Sequence, residues 1–217
     1  MRPNSKPYAL AALLLATTLS PSAQAGEVYA NVGLPGLMLG YAQPLSPDFT
    51  LRGDLASLGQ RKKNTTEEGI DYLANVKAHR AAVLIDWFAV GGFRLTGGVT
   101  FNQYKVDLLA QGNGNVVNIG GTNYTLGADD QLRIKIEFPR TTPYLGLGYG
   151  HQLGSGWGFT FDLGASIGKA KISETHTGTV LGNASQADID RELAELRDGV
   201  GKIRLIPQIS LGVATRF

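Results

Sequence analysis

Three histidines and a scatter of serines are the groups in this chain that could form a nucleophile–base pair. His176 has Ser173 and Glu174 beside it, His151 has Ser155 four residues on, and His79 stands apart. Hydrolysis needs a nucleophile, a base and an orienting acid converging on one point, and adjacency within a loop does not supply that. No catalytic residue is therefore assigned. Asp54 and Asp162, with Arg52 near them, could divide acid and base roles if they came together. The same groups also suit a structural ion-pair network, because buried charges need partners wherever they occur. The chain contains no cysteine, which rules out disulfides and thiolate metal sites. No other metal-ligand spacing occurs, and no cofactor is expected.

What must position these groups is legible at the carboxyl terminus. Back from Phe217, one side of the strand reads Thr215, Val213, Leu211, Ile209, Pro207 and Leu205. The residues between are Arg216, Ala214, Gly212, Ser210 and Gln208. So long an alternation, ending in an aromatic residue, predicts a strand with lipid on one side and a polar lumen on the other. Residues 1–25 read as a cleavable signal peptide: Arg2 and Lys6, an apolar run from Tyr8 to Leu19, and Ala23-Gln24-Ala25 before Gly26. Removing Arg2 and Lys6 leaves equal numbers of basic and acidic residues, so nothing marks a nucleic-acid partner. Residues 26–217 are expected to form a single domain.

Turn signals divide that domain into eight strands: Glu27–Gly33, Leu37–Gln43, Phe49–Arg61, Tyr72–Phe88, Phe93–Leu109, Leu132–Gln152, Trp157–Ile172 and Lys202–Phe217. A polar loop from Asn64 to Glu68 and long segments at 111–130 and 174–201 connect them. A soluble carrier barrel would alternate in the same way. The identity of the small face decides between the two. Opposite Leu145, Leu147 and Tyr149 lie Gly146, Gly148 and Gly150, and opposite Phe159, Phe161 and Leu163 lie Gly158, Thr160, Asp162 and Gly164. A solvated face would tolerate long polar side chains, whereas a crowded small lumen needs short ones. The bulky face is therefore expected to point into lipid. Tyr41, Phe49, Trp87, Phe93, Tyr149, Trp157 and Phe217 then share that parity near the periplasmic ends, as an interfacial girdle would.

Ten to twelve residues above the girdle, a rise of about 25 Å in tilted strands, the same face carries Arg61, Lys77, Lys105 and Lys169. Lys135 lies further out on a strand that Pro139 interrupts, and a bulge there could shift its parity. Two readings are open. Either charges simply resume where hydrocarbon ends, or a basic collar binds the phosphates of lipopolysaccharide. Inward parity gives Arg52, Asp54, Arg80, Asp86, Arg94, Arg140, Asp162, Arg204 and Arg216. Asp86 and Arg94, facing each other across one hairpin, are expected to pair. Side chains just fill an eight-strand interior, so a plug rather than an open pore is expected.

Within the last loop the period changes. Ile189, Leu193 and Leu196 recur at helical spacing between Ser185 as a cap and Gly199 as a stop, predicting one short helix folded over the mouth.

Several stretches carry a resemblance: Asp86-Trp87-Phe88, Phe93-Arg94-Leu95, Thr142-Pro143-Tyr144-Leu145-Gly146-Leu147-Gly148, the helix Glu192–Leu196 and the ending Ser210–Phe217. Across most of residues 72–217 the chain resembles uncharacterised proteobacterial outer-membrane β-barrel proteins. In architecture it is more distantly similar to outer membrane proteins A, X and W. The resemblance departs at Phe88-Ala89, where such proteins tend to carry an aromatic followed by proline. It implies recognition of Phe217 by the barrel-assembly machinery and brings no assigned activity. The region around His151 is superficially similar to the His-x-Ser-Asn signature of lipid A deacylases, but the serine is displaced and the asparagine is missing.

The expectation is therefore an all-β, eight-stranded antiparallel up-and-down transmembrane β-barrel with one helix in the last extracellular loop. It would be a monomer in the bacterial outer membrane, in contact with its lipids and lipopolysaccharide, with a structural or surface-interaction role. The rivals are a lipid-modifying enzyme of the deacylase kind and a narrow low-conductance channel.

Overall fold

A computed structural model describes residues 25–67, 70–151, 156–199 and 203–217. The expected signal segment through Gln24, and Ser155 with the turn around it, lie outside the described residues. The structure is an all-β antiparallel up-and-down sheet with one short α-helix. No described helix is long and apolar enough to cross a membrane.

The strands are β1 (Glu27–Leu34), β2 (Gly36–Pro44), β3 (Phe49–Glu67), β4 (Ile70–Val90), β5 (Phe93–Gln111), β6 (Val116–Ile119), β7 (Thr122–Thr125), β8 (Gln131–Glu137), β9 (Thr141–Tyr149), β10 (Gly156–Ile167), β11 (Lys171–Thr177) and β12 (Leu205–Arg216), with α1 (Gln186–Gly199) before the last. Following the ladder from β9 through β5, β4, β3, β2, β1, β12 and β10 returns to β9. Among the described residues, every strand of that ring is paired on both sides, which leaves the ring without an edge to template another chain.

Twelve strands stand where eight were expected, for three local reasons. The sixth expected strand divides into β8 and β9 at Phe138-Pro139-Arg140, where Pro139 has no N–H to donate. Because Lys105 pairs with Glu137 and Phe101 with Thr141, equal numbers of residues bridge the gap on both strands, and parity survives the break. The seventh expected strand divides into β10 and β11 around Gly168. The segment expected as a loop at 111–130 holds the β6–β7 hairpin, turning on Gly120 and Gly121, both at positive φ (57° and 89°). Such a Gly-Gly turn matches the twist of its flanking strands. The polar stretch from Asn64 to Glu67, also expected as a loop, continues β3 in register with β4.

The two faces sort as polarity demands. Leu147, Leu163, Ile209 and Leu211 are exposed on the outside, and Phe161 is half-covered there, while Thr160, Asp162, Gln208 and Ser210 are buried within. The aromatics Tyr41, Phe49, Trp87, Phe93, Tyr149, Trp157 and Phe217 are all exposed. In β1 the parity reverses, with Glu27, Tyr29 and Asn31 buried, because the tight turn pairs odd positions of β1 with even positions of β2. β1 and β2 are short, whereas β3, β4 and β5 rise well past them and meet β8 and β11. One side of the molecule is therefore low and the other tall.

Candidate functional site

The closed part of the ladder surrounds a charged interior. Asp162 on β10 accepts from Arg52 (3.1 Å), Arg94 (3.0 Å) and Asn31 (3.2 Å). Asp86 meets Arg52 at 2.5 Å and Arg94 at 3.4 Å, and accepts from the Thr96 hydroxyl at 2.6 Å. One level away, Arg80 holds Asp54 and the amide oxygen of Gln208, while the Tyr29 hydroxyl donates to Asp54 at 3.2 Å. Arg52, Arg80 and Arg94 thus balance Asp54, Asp86 and Asp162, all six of them buried. Above them, the Thr100 hydroxyl lies 2.8 Å from Thr142 and 2.9 Å from Ser166. Low dielectric strengthens such a network only when every member is partnered.

The small-residue face makes room for it. A Cβ on Gly148 would collide with the guanidinium group of Arg94, and one on Gly164 would collide with the Tyr144 hydroxyl. These glycines give interior volume to the large polar groups of neighbouring strands. Arg140 and Arg204, expected inside, are exposed. Both lie where strand pairing is interrupted or just beginning, so the alternation no longer directs them inward. Arg216 is half-buried and donates to the backbone oxygen of Ala25 at 3.2 Å.

The histidines separate. His151, just past the end of β9, is buried 3.1 Å from Glu27 and edge-on to Tyr29, with its backbone at φ 68°. His176 bonds Glu174 at 2.8 Å. Ser173 occupies the opposite face of β11 by alternation, so these three groups do not converge. His79 lies on the outer face, its Nδ1 2.8 Å from the Ser57 hydroxyl, which also accepts from the Gly59 N–H at 3.0 Å. Sequence spacing could not reveal that pair. It depends on the β3–β4 register, which holds up to Ser57 and is broken just beyond it by a bulge at Leu58.

The bulge also moves a member of the expected collar. Past it, Gln60 and not Arg61 stands opposite Lys77, and Arg61 shares the other face with Val76. One extra residue reverses every side chain beyond it. Lys77 lies directly opposite Lys105, which bonds Glu137. Lys135 is exposed and pairs in register with Asp107, and Lys169 is exposed in the gap between β10 and β11. The basic positions therefore gather on the tall side of the molecule.

Above the closed ladder the inner face turns apolar. Ala110, Leu132 and Ile134 are buried with Val117, Ile119 and Leu126 of the hairpin segment and with Leu181 and Ile189. The helix packs here, on the inner side of the raised strands, with Ile189 buried and Leu193 partly buried. Asp130 anchors the last long loop by accepting from the Val180 and Leu181 amides at 3.0 and 2.9 Å. Asp188 accepts from the Tyr124 hydroxyl at 2.8 Å, and Asp129 from the Thr179 hydroxyl at 2.6 Å. These bonds, Tyr124 to Asp188 and Thr179 to Asp129, hold both carboxyls below the ordinary aspartate range. A carboxyl depressed on folding contributes stability above its unfolded value, about 3.9, and loses it as pH falls through the lower folded value. The protection of the Val116–Thr125 amides against hydrogen exchange, taken relative to the intrinsic rate at each pH, is therefore expected to be high at neutral pH and to fall below about pH 4, ahead of that of the β1–β2 amides. A simultaneous fall in both would remove this account of the clasp.

No protein-family model matches the chain, and no curated protein sequence matches it. Solved structures do. Acinetobacter baumannii CarO aligns at TM-score 0.59 and 16% identity, over 90% of this chain and 98% of its own. Acinetobacter baumannii CarO2 aligns at 0.59 and 18%, over 90% and 100%. A major outer membrane protein from Thermus thermophilus aligns more loosely, at 0.44 and 13%, over 88% and 98%. The CarO likeness is one of fold. With an apolar exterior carried by strands, the chain is placed in the bacterial outer membrane, where closed strand ladders satisfy their backbone groups within hydrocarbon.

Proposed function

We propose that the chain is an eight-stranded antiparallel transmembrane β-barrel. In this reading β8 with β9, and β10 with β11, each count as one interrupted strand. Its role is structural and surface-interacting: the lumen is plugged, the raised strands and cap form the working surface outside the cell, and it acts as a monomer. The exposed Phe217 is the residue offered to the barrel-assembly machinery. The observation that carries this reading is the charge-balanced cluster of three arginines and three aspartates inside a ladder that pairs β5 back to β9.

The reading is also non-catalytic. His79 meets Ser57 on the lipid side, but among the described residues no carboxylate within ion-pairing distance orients its ring, and a serine–histidine pair needs that third group. Planar bilayers containing the protein, and lipid A mass spectra of cells overproducing it, test both halves. The expected results are no stepwise conductance and no change in lipid A mass. Regular unitary steps would favour the narrow channel, and loss of an acyl chain would favour the deacylase.

A further inference from the structure

The break between β8 and β9 opens a notch in the outer wall of about 620 Å³, lined by Lys77, Lys105, Arg140, Glu137, Gln103 and Phe101. Two of its lysines stand in direct register across β4 and β5. Like charges directly opposite in an antiparallel pair destabilise it unless an anion lies between them. Glu137 bonds Lys105, while Lys77 has no carboxylate within ion-pairing distance among the described residues. With Arg140 included, three cations face one carboxylate, leaving a surplus of two. A phosphate monoester carries about −1.5 to −2 charges at neutral pH.

Next to the notch runs a second groove of about 710 Å³, bounded by Leu37, Leu39, Leu55, Leu58 and Phe101. Phe101 and Gln103 border both, so the two are continuous. The groove arises because the β3 bulge and the short first hairpin leave the wall recessed beside the taller strands. Its apolar residues belong to the outer face that the preceding reading assigns to lipid. The polar row Ser57, His79 and Gln103, adjacent by register, separates this apolar bed from the lysines.

We infer that notch and groove together bind one phosphorylated lipid of the outer leaflet, its phosphate on Lys77, Lys105 and Arg140 and an acyl chain along Leu37, Leu39, Leu55 and Leu58. This rests on the membrane reading above. A free phosphate would use the cations and leave the apolar groove unfilled. The groove argues for a lipid, and the charge surplus argues for a phosphorylated one.

Native mass spectrometry of the full mature chain folded in detergent tests this with three probes: bisphosphorylated lipid A, the same lipid stripped of phosphate, and the water-soluble phosphorylated disaccharide without acyl chains. The intact lipid is expected to bind at one copy. Each of the other probes, and the Lys77→Gln/Lys105→Gln variant, should bind about ten-fold more weakly. A Lys62→Gln/Lys63→Gln control on the exposed extension of β3 should bind as wild type does. Equal binding of the stripped lipid, of the disaccharide or by the double variant overturns the site, as does equal loss in the control. Lys77→Gln alone serves if the double variant does not fold. Heat-modifiable gel migration, read separately, reports the barrel itself. Its absence from the wild-type protein would strike the membrane reading and not the lipid site.

Discussion

Replacing Asp162 with alanine is expected to lower the free energy of unfolding by about 3–5 kcal/mol, the usual cost of leaving a buried charge without its partner. Asp162 is the residue through which Arg52, Arg94 and Asn31 are joined. Its loss leaves two buried guanidinium groups to share Asp86, while Asn31 keeps only its bonds to Thr160 and Ser210. Asp162→Asn should cost less, since it preserves shape and one acceptor. Urea unfolding from lipid vesicles, followed by fluorescence of Trp87 and Trp157, measures both. A loss below about 1 kcal/mol, the range of an exposed ion pair, would mean that water reaches these groups and that the interior is not a plug.

The second large effect lies on the opposite face. Leu211 is 62% exposed, paired with Val32 and Phe161 on its two neighbours. In a protein surrounded by water, exchanging so exposed a leucine for arginine changes stability by no more than about 0.5 kcal/mol. Facing the middle of a bilayer, the same exchange costs about 2–4 kcal/mol. Leu211→Arg is therefore expected to destabilise the vesicle-inserted protein by that larger amount, and Val90→Arg, at the rim beside the β4–β5 turn, by about 0–1 kcal/mol. Equal small effects at both positions would contradict a lipid-facing exterior.

The membrane-level strands were readable in the sequence because a period of two, repeated on neighbouring strands, leaves little freedom. Once Phe217, Trp157 and Tyr149 share one parity, the glycines and aspartates between them face inward. What could not be read were the places where that period is interrupted. One unpaired residue at Leu58 carries Arg61 to the other face; Gly59, at positive φ (77°), is a local sign of such a bulge but does not say which residue goes unpaired. Pro139 did announce a break, but not whether parity would survive it. That depends on equal residue counts in β5 and in the β8–β9 link. Arg140 and Arg204 were placed inside by extending the alternation past the ends of regular pairing. The β6–β7 hairpin was legible in principle, since Gly120-Gly121 sits between Val-Val-Asn-Ile and Thr-Asn-Tyr-Thr. The interior partners of Asp54, Arg80 and Gln208 were not, because they meet across the lumen from strands distant in the chain.

The unequal rise of the strands gives this molecule a heading in the plane of the bilayer. A neighbour drifting in from the β1–β2 quarter meets a low sill and can lean over the opening. From the β5–β8 quarter it meets a parapet of strands with the helix and hairpin tucked behind. Crowding should therefore act on the protein by direction, and any contact with another envelope component is sorted by the bearing from which it arrives.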